Sequence, residues 1–184
     1  MFALIPTGTD EWDIAYWRRL LARYSSWQGP ETRWMRIPKR RLAVLQEHIN
    51  AESSHDMRAL LDGMTSDCFN DVASVPKPFV GPKKVAERYR KHWAGFPDFK
   101  VRVKRILAAD EKCIVTENEW SGTHLGKFLG LPPTGKRVRV RALVVWHFKG
   151  NKLWGETVFF DMGSIQKQVG AKVTAPAAHR KPLD

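Results

Sequence analysis

The sequence predicts an α+β fold in which helices precede an antiparallel meander, and three observations carry that reading. Apolar residues return at helical spacing through the first half of the chain. From Phe99 onward the period switches to two. Short turns at Asp110-Glu111-Lys112 and Lys149-Gly150-Asn151 then join two pairs of period-two runs as hairpins. With 184 residues, 43% of them hydrophobic, and 8 Trp and 9 Phe, the chain can bury one core and carry a short appendage.

Residues 10–27 read as a helix, with Ile14, Trp17, Leu20 or Leu21, and Tyr24 on one face and Gln28-Gly29-Pro30 as its stop. A second helix starts near Pro38 and turns Leu42, Leu45 and Ile49 inward. A third is expected after a capping box from Ser53 to Asp56, with Met57, Leu60, Leu61 and Met64 on its apolar side. Residues 67–72 form a short strand, and Gly81-Pro82 opens a helix through Val85, Tyr89 and Trp93, because proline fits the first helical turn. Four strands follow over 99–107, 113–123, 137–148 and 152–161. A last helix covers 163–169. The organisation expected is a helical extension over 1–36, a folded domain over 37–170 and a disordered tail over 171–184.

Alternation sorts the strand side chains onto two faces. Arg137, Arg139 and Arg141 share one face, and Val138, Val140, Ala142, Val144 and Trp146 share the other. If Glu117 and Glu119 meet the arginines across strands, a charged outer face results and Asn118 and Trp120 lie beside Val144 and Trp146. On the last strand Trp154, Glu156, Val158 and Phe160 fall on one side, with Leu153, Thr157 and Phe159 on the other. Setting Val158 on the Val144 side places Glu156 among Trp120, Trp146, Trp154 and Phe160. Burial there favours the protonated acid and suits a general acid or base. An ion pair at the rim is the competing reading.

The segments Gly122-Thr123-His124 and Leu129-Gly130-Leu131-Pro132-Pro133-Thr134-Gly135, followed by the alternating strand from Val138, resemble the SnoaL-like polyketide cyclase and ester cyclase family. The resemblance covers residues 37–170. It implies the nuclear-transport-factor-like, ketosteroid-isomerase-like cone: a curved antiparallel sheet with packed helices enclosing a pocket. It also implies acid–base chemistry of cyclase, isomerase, hydratase or hydrolase type on a small, partly apolar molecule, polycyclic or carbonyl-containing. The family's last-strand aspartate and its partner histidine fall on Val158 and Val144. The base position of the related isomerases falls on Asn70, with Asp71 next to it.

The catalytic candidates are therefore Glu156 and, if a bulge turns it inward, Asp71. Asn70, Asn118, Trp120, Val144, Trp146, Val158 and Phe160 are the substrate-binding candidates. A non-catalytic ligand-binding or protein-interaction module of the same fold is the alternative. Asp161 reads as the cap of the last helix, His124 as a loop lock or rim contact, His55 as a helix-start residue, and His147 as exposed or paired on the arginine face.

Cys68 and Cys113 lie outside any CxxC pattern, so neither a metal site nor a disulfide framework is expected, and no cofactor is called for. The net charge of +12 is spread along the chain without a nucleic-acid motif, which argues against a dedicated nucleic-acid reader. No apolar run reaches the roughly 20 residues of a bilayer span. Residues 1–10 lack signal-peptide features, so a cytoplasmic location is expected. Related cone folds imply a homodimer through the outer face of the sheet.

Overall fold

The structure, a computed structural model, describes residues 37–171. The helix expected over 10–27 and nearly all of the tail lie outside the described residues.

Helix α1 spans Lys39–Ser54 and buries Leu42, Leu45, His48, Ile49 and Glu52 along one stripe. It ends rather than begins at His55. That residue adopts φ 61°, its N–H bonds Glu52 O, and the N–H of Asp56 bonds Ala51 O at 2.9 Å. This is the paired closure of a helix end in which a left-handed residue turns the chain. The His55 ring stacks on Trp93 with centroids 4.7 Å apart.

Helix α2, Met57–Asp62, is capped by Asp56, whose carboxylate accepts from Ala59 N at 3.0 Å. Ser53 is not the cap. Its hydroxyl is taken up by the backbone of Val101, as acceptor at 3.1 Å and donor at 3.2 Å. Met64, expected on that helix, begins strand β1.

Strands β1 (Met64–Val72) and β2 (Phe79–Val80) precede helix α3 (Pro82–Gly95), whose proline occupies the first turn. Strands β3 (Lys100–Ala109), β4 (Cys113–Thr123), β5 (Arg137–Lys149) and β6 (Lys152–Phe160) form the meander. Helix α4 (Met162–Val169) is capped by Asp161, as its sequence position suggests; the carboxylate accepts from Gly163 N at 2.8 Å.

One six-stranded sheet runs in the order β2-β1-β6-β5-β4-β3. Every neighbouring pair is antiparallel except β1 with β6, which is parallel. Bulges interrupt β1, β3 and the β5–β6 pairing, and such insertions bend and twist a sheet. Helix α1 packs on β3 and β6, and α3 packs on β1 and β2. Val138, Val140, Ala142, Val144, Trp146 and Phe148 are all buried while Arg137, Arg139, Arg141 and Leu143 are exposed, so one face of the sheet is core and the other open.

The β5–β6 bulge corrects one face assignment. His147 pairs with Gly155 and Phe148 with Leu153, which leaves Trp154 as the extra residue. Parity therefore reverses across it. Leu153 is fully buried, and Trp154 packs edge-on against Phe69 at 5.1 Å and near His147, away from Glu156.

The Pro-Pro-Thr-Gly turn is tied down by His124. Its carbonyl accepts from Thr134 N and Gly135 N, its Nδ1 lies 3.1 Å from Thr134 Oγ1, and its ring stacks on Phe96. His124 thus acts as a loop lock. Gly126 is obligatory beside it, since a Cβ there would lie 2.1 Å from Ala94 O. Among the described residues no helix is long and apolar enough to cross a membrane.

Candidate functional site

Strand β6 carries Glu156 onto the helix-covered face, where it is 3% exposed. Its register partners are Trp146 on β5 and Asn70 on β1. Both the Asn70 amide and the Tyr89 hydroxyl donate to Glu156 Oε1. Tyr89 comes from α3, and His48 Nε2 of α1 stands 3.3 Å from its hydroxyl. Because the Tyr89 hydrogen goes to Glu156, His48 Nε2 has to be the donor in that contact. Burial lowers the His48 pKa against the raising effect of Glu156, which keeps the ring neutral. Burial and the Glu156 charge together hold Tyr89 well above the usual phenol value.

A second polar chain crosses the same face. Trp146 Nε1 donates to Thr116 Oγ1 at 2.8 Å, and the Thr116 hydroxyl donates to Asn118 Oδ1 at 2.7 Å. Both acceptors of that chain are occupied from one side, so the Asn118 Nδ2 hydrogens are its remaining donors.

Glu52, one turn after His48, reaches the same chamber from α1. Burial and the nearby Glu156 charge push its carboxyl up to about 8, against a smaller opposing effect of Arg88. On α3, Arg88 and His92 are spaced one turn apart. Burial, reinforced by Arg88, holds His92 well below the ordinary imidazole value, and its ring packs against Phe99, Trp120 and Phe128. Among the described residues, Arg88 Nη1, His92 Nε2 and Asn70 Oδ1 are buried atoms with no hydrogen-bond partner, a condition that buried polar groups seldom tolerate without a ligand or water.

These groups converge on a cavity of about 30 Å³. Its polar wall is Glu52, Arg88, His92, Asn118 and Glu156; Trp120, Val144, Trp146, Val158 and Phe160 contribute to its apolar wall. That space is about the size of a water molecule. A ring-sized ligand enters only if lining side chains rearrange. A wider depression, about 490 Å³, lies on the open face between Arg105, Leu107, Glu117, Arg141, Leu143 and Phe159.

Of the residues named from sequence, Glu156, Asn118, Trp120, Val144, Trp146, Val158 and Phe160 line one cavity, and Asn70 lies behind Glu156 as its hydrogen-bond donor. Val144 and Val158 face each other in register. Asp71 does not join them. Since Asn70 pairs with Glu156, Asp71 pairs with Thr157 and points to the other face, where its charge raises His147 against burial. The bulge in β1 falls before Phe69, too early to turn Asp71 inward. His147 is paired on that face through Thr157 Oγ1 at 3.1 Å.

Sequence reasoning missed His48, Glu52, Arg88, Tyr89 as a hydrogen-bond donor, and His92. A signal existed for the first two: they sit three and seven residues after Leu45, on the apolar stripe of α1, where a polar side chain must be buried.

The model of the SnoaL-like polyketide cyclase family matches residues 42–169. The chain belongs to that family. A search of curated proteins finds no match. Among solved structures, a Jannaschia protein assigned by name to the SnoaL-like polyketide cyclases is similar, with TM-score 0.67 and 17% identity over 80% of this chain and 100% of that one. TsrD from Streptomyces laurentii gives TM-score 0.65 and 18% identity over 74% and 98% of the two chains. A Catenulispora acidiphila protein with a ketosteroid isomerase-like fold, solved with trimethylamine, gives TM-score 0.61 and 12% identity over 70% and 93%. At these identities the likeness establishes the cone fold of this family member and leaves its reaction to be argued from the site.

Proposed function

We propose that this SnoaL-like protein is an enzyme that performs acid–base chemistry on a small, partly apolar, carbonyl-containing molecule, with Glu156 as the group that moves the proton. The observation that carries this reading is a buried carboxylate at the wall of an apolar cavity, held by donors from Tyr89 and Asn70 on two different elements. Those two hydrogen bonds fix Oε1 and leave Oε2 as the oxygen to meet substrate. Asn118 offers its amide hydrogens to a substrate oxygen, while Trp120, Trp146 and Phe160 supply apolar and aromatic surface. The family's usual acid position carries Val158, and Glu156 stands two residues earlier on the same strand face.

Glu156→Gln tests the reading cleanly, because the amide oxygen still accepts from Tyr89 and Asn70 while proton transfer is lost. Turnover should drop by roughly 10²-fold or more. Binding without turnover in both wild type and variant supports the non-catalytic ligand-binding alternative instead.

For the assembly, the proposal is a homodimer through the open face, where Leu107, Leu143 and Phe159 are exposed side chains. Light scattering should give a dimer that Leu143→Glu dissociates; a monomer at high micromolar concentration removes the idea.

A further inference from the structure

Resting on the reading of the enclosed cavity as a substrate site, we infer that Arg88 and His92 form a carboxylate-binding subsite on its α3 wall, so that the substrate is a cyclic carboxylic acid. Its charge is anchored on α3 and its ring lies against Phe99, Trp120 and Phe160. Arg88 is an arginine without a counter-ion. Arg102, Arg105, Arg137, Arg139 and Arg141 each reach a carboxylate. Arg88 reaches none among the described residues, and its Nη1 is buried without a hydrogen-bond partner. One turn further along α3, His92 is 6% exposed and its Nε2 is likewise unpartnered. Both residues line the cavity, and side chains four apart on a helix are neighbours on one face.

The cavity's own acids do not answer Arg88. Glu156 Oε1 is taken by Asn70 and Tyr89, and Glu52, pushed up to about 8, carries its proton at neutral pH. The Arg88 charge is felt across the chamber all the same, since it acts to lower His48, Glu52 and His92 alike. A guanidinium drawn out of water without a partner is costly, and a carboxylate matches its planar fork with two parallel hydrogen bonds. Burial, reinforced by Arg88, keeps the His92 ring neutral. With its hydrogen on Nε2 that ring gives the same carboxylate a third donor. A single negative charge suits the site better than a phosphate, whose second charge the Glu156 carboxylate repels.

Arg88 and Phe160 are the half-buried members of a lining that is otherwise buried. The subsite therefore lies where a charge is least costly to bring in, and displacement of these two side chains admits the ring behind it. Lys84 and Lys91 flank Arg88 one turn to either side, both bound to Glu87, at 3.0 and 2.9 Å. The net charge of +12 draws anions toward the molecule.

The test is calorimetric titration of benzoate and of benzamide, its uncharged isostere, into wild type, Arg88→Met, Arg88→Lys, Lys84→Gln and Glu156→Gln. A parallel NMR titration follows the His92 ring nitrogens, assigned through His92→Gln. Wild type should bind benzoate roughly tenfold or more tighter than benzamide, the scale of hydrogen bonds to a charged group. Arg88→Met should abolish that preference, Lys84→Gln should keep it, and His92 Nε2 should shift on adding benzoate. Arg88→Lys, which keeps the charge and loses the fork, should fall between wild type and Arg88→Met, and it decides the matter if Arg88→Met does not fold. Equal affinity for the two probes in wild type, no saturable benzoate binding, or a preference that survives Arg88→Met overturns the subsite. A preference lost equally in Lys84→Gln, or an unmoved His92 Nε2, places the anion on the exterior of α3 and overturns it too. Glu156→Gln separates this inference from the base assignment: full turnover in that variant, with the benzoate preference intact, removes the base and leaves the subsite standing.

Discussion

Glu117 and Glu156 sit on opposite faces of the same sheet and are treated in opposite ways. On the open face Glu117 lies between Arg105 and Arg141, with Arg141 Nε donating at 3.0 Å. Burial works to raise its pKa, but the hydrogen bonds from the two arginines prevail and hold it below the ordinary carboxylate value. On the helix-covered face Glu156 meets neutral donors, Tyr89 and Asn70, and its neighbour Glu52 is pushed up to about 8. The arginines neutralise the carboxylates of one face, and on the other the Glu156 carboxylate is held by the neutral side chains of Tyr89 and Asn70. Position in the pleat decides whether a glutamate meets guanidinium groups or neutral donors.

The largest expected contrast between the faces is mechanical. Trp146 is 1% exposed, stacks edge-on against His48 at 5.7 Å and anchors the Thr116–Asn118 chain. Trp146→Ala should lower the free energy of unfolding by about 3–5 kcal/mol, measured by urea titration with circular dichroism. A loss under about 1 kcal/mol would mean that the helical roof does not close on this face as described. Next in size is Glu156→Gln, at roughly 10²-fold in turnover, with little change in stability because the hydrogen bonds are kept.

Much of this contrast was legible in the sequence. The period-two pattern of β4 and β5 sets Glu117 and Glu119 against the arginines and Asn118 and Trp120 on the core side, and the register agrees. Strand β6 was legible only from Glu156 onward, because the bulge at Trp154 inverts parity and leaves no mark that a strict alternation can register. The side chains that surround Glu156 were harder still. His48, Glu52, Arg88 and Tyr89 come from two helices separated by 67 or more positions from Glu156, and only tertiary packing brings them together. Asp71 against Asn70 was a choice of parity, settled once β1 is seen to pair in parallel with β6 at Asn70 and Glu156.

Glu52 gives the comparison a pH axis. Its folded pKa, about 8, lies above the unfolded value of 4.5, so the folded state keeps a proton that the unfolded chain releases. The stabilisation is complete below about pH 4.5 and is lost as pH rises from there to about 8, at up to about 1.4 kcal/mol per unit. His48 and His92 act in the opposite sense, losing stability as pH falls below the ordinary imidazole value. Both histidines remain in Glu52→Gln, so the difference between variant and wild type isolates the carboxyl. The variant should gain on wild type as pH rises from 5 to 8 and hold a constant lead beyond. A pH-independent difference in unfolding free energy would show that Glu52 is solvated like a surface acid.

The smallest effect belongs to the open face. Arg141 exposes 76% of its side chain, while Glu117 beside it exposes 11% and retains Arg105 when Arg141 is removed. The remaining guanidinium still satisfies one carboxylate oxygen, and exposed ion pairs contribute little because water and salt screen them. Arg141→Ala should therefore cost less than about 1 kcal/mol, shrink further as salt is raised, and leave turnover unchanged. The acid limb of stability is the sensitive readout. Glu117 contributes above the unfolded carboxylate value and loses that contribution as pH falls through its lowered folded pKa, so weakening its partners should move this loss to higher pH. If Arg141→Ala instead cost several kcal/mol, or reduced turnover, the two faces of the sheet would be energetically coupled, and the open face could no longer be read as a scaffold for the enclosed one.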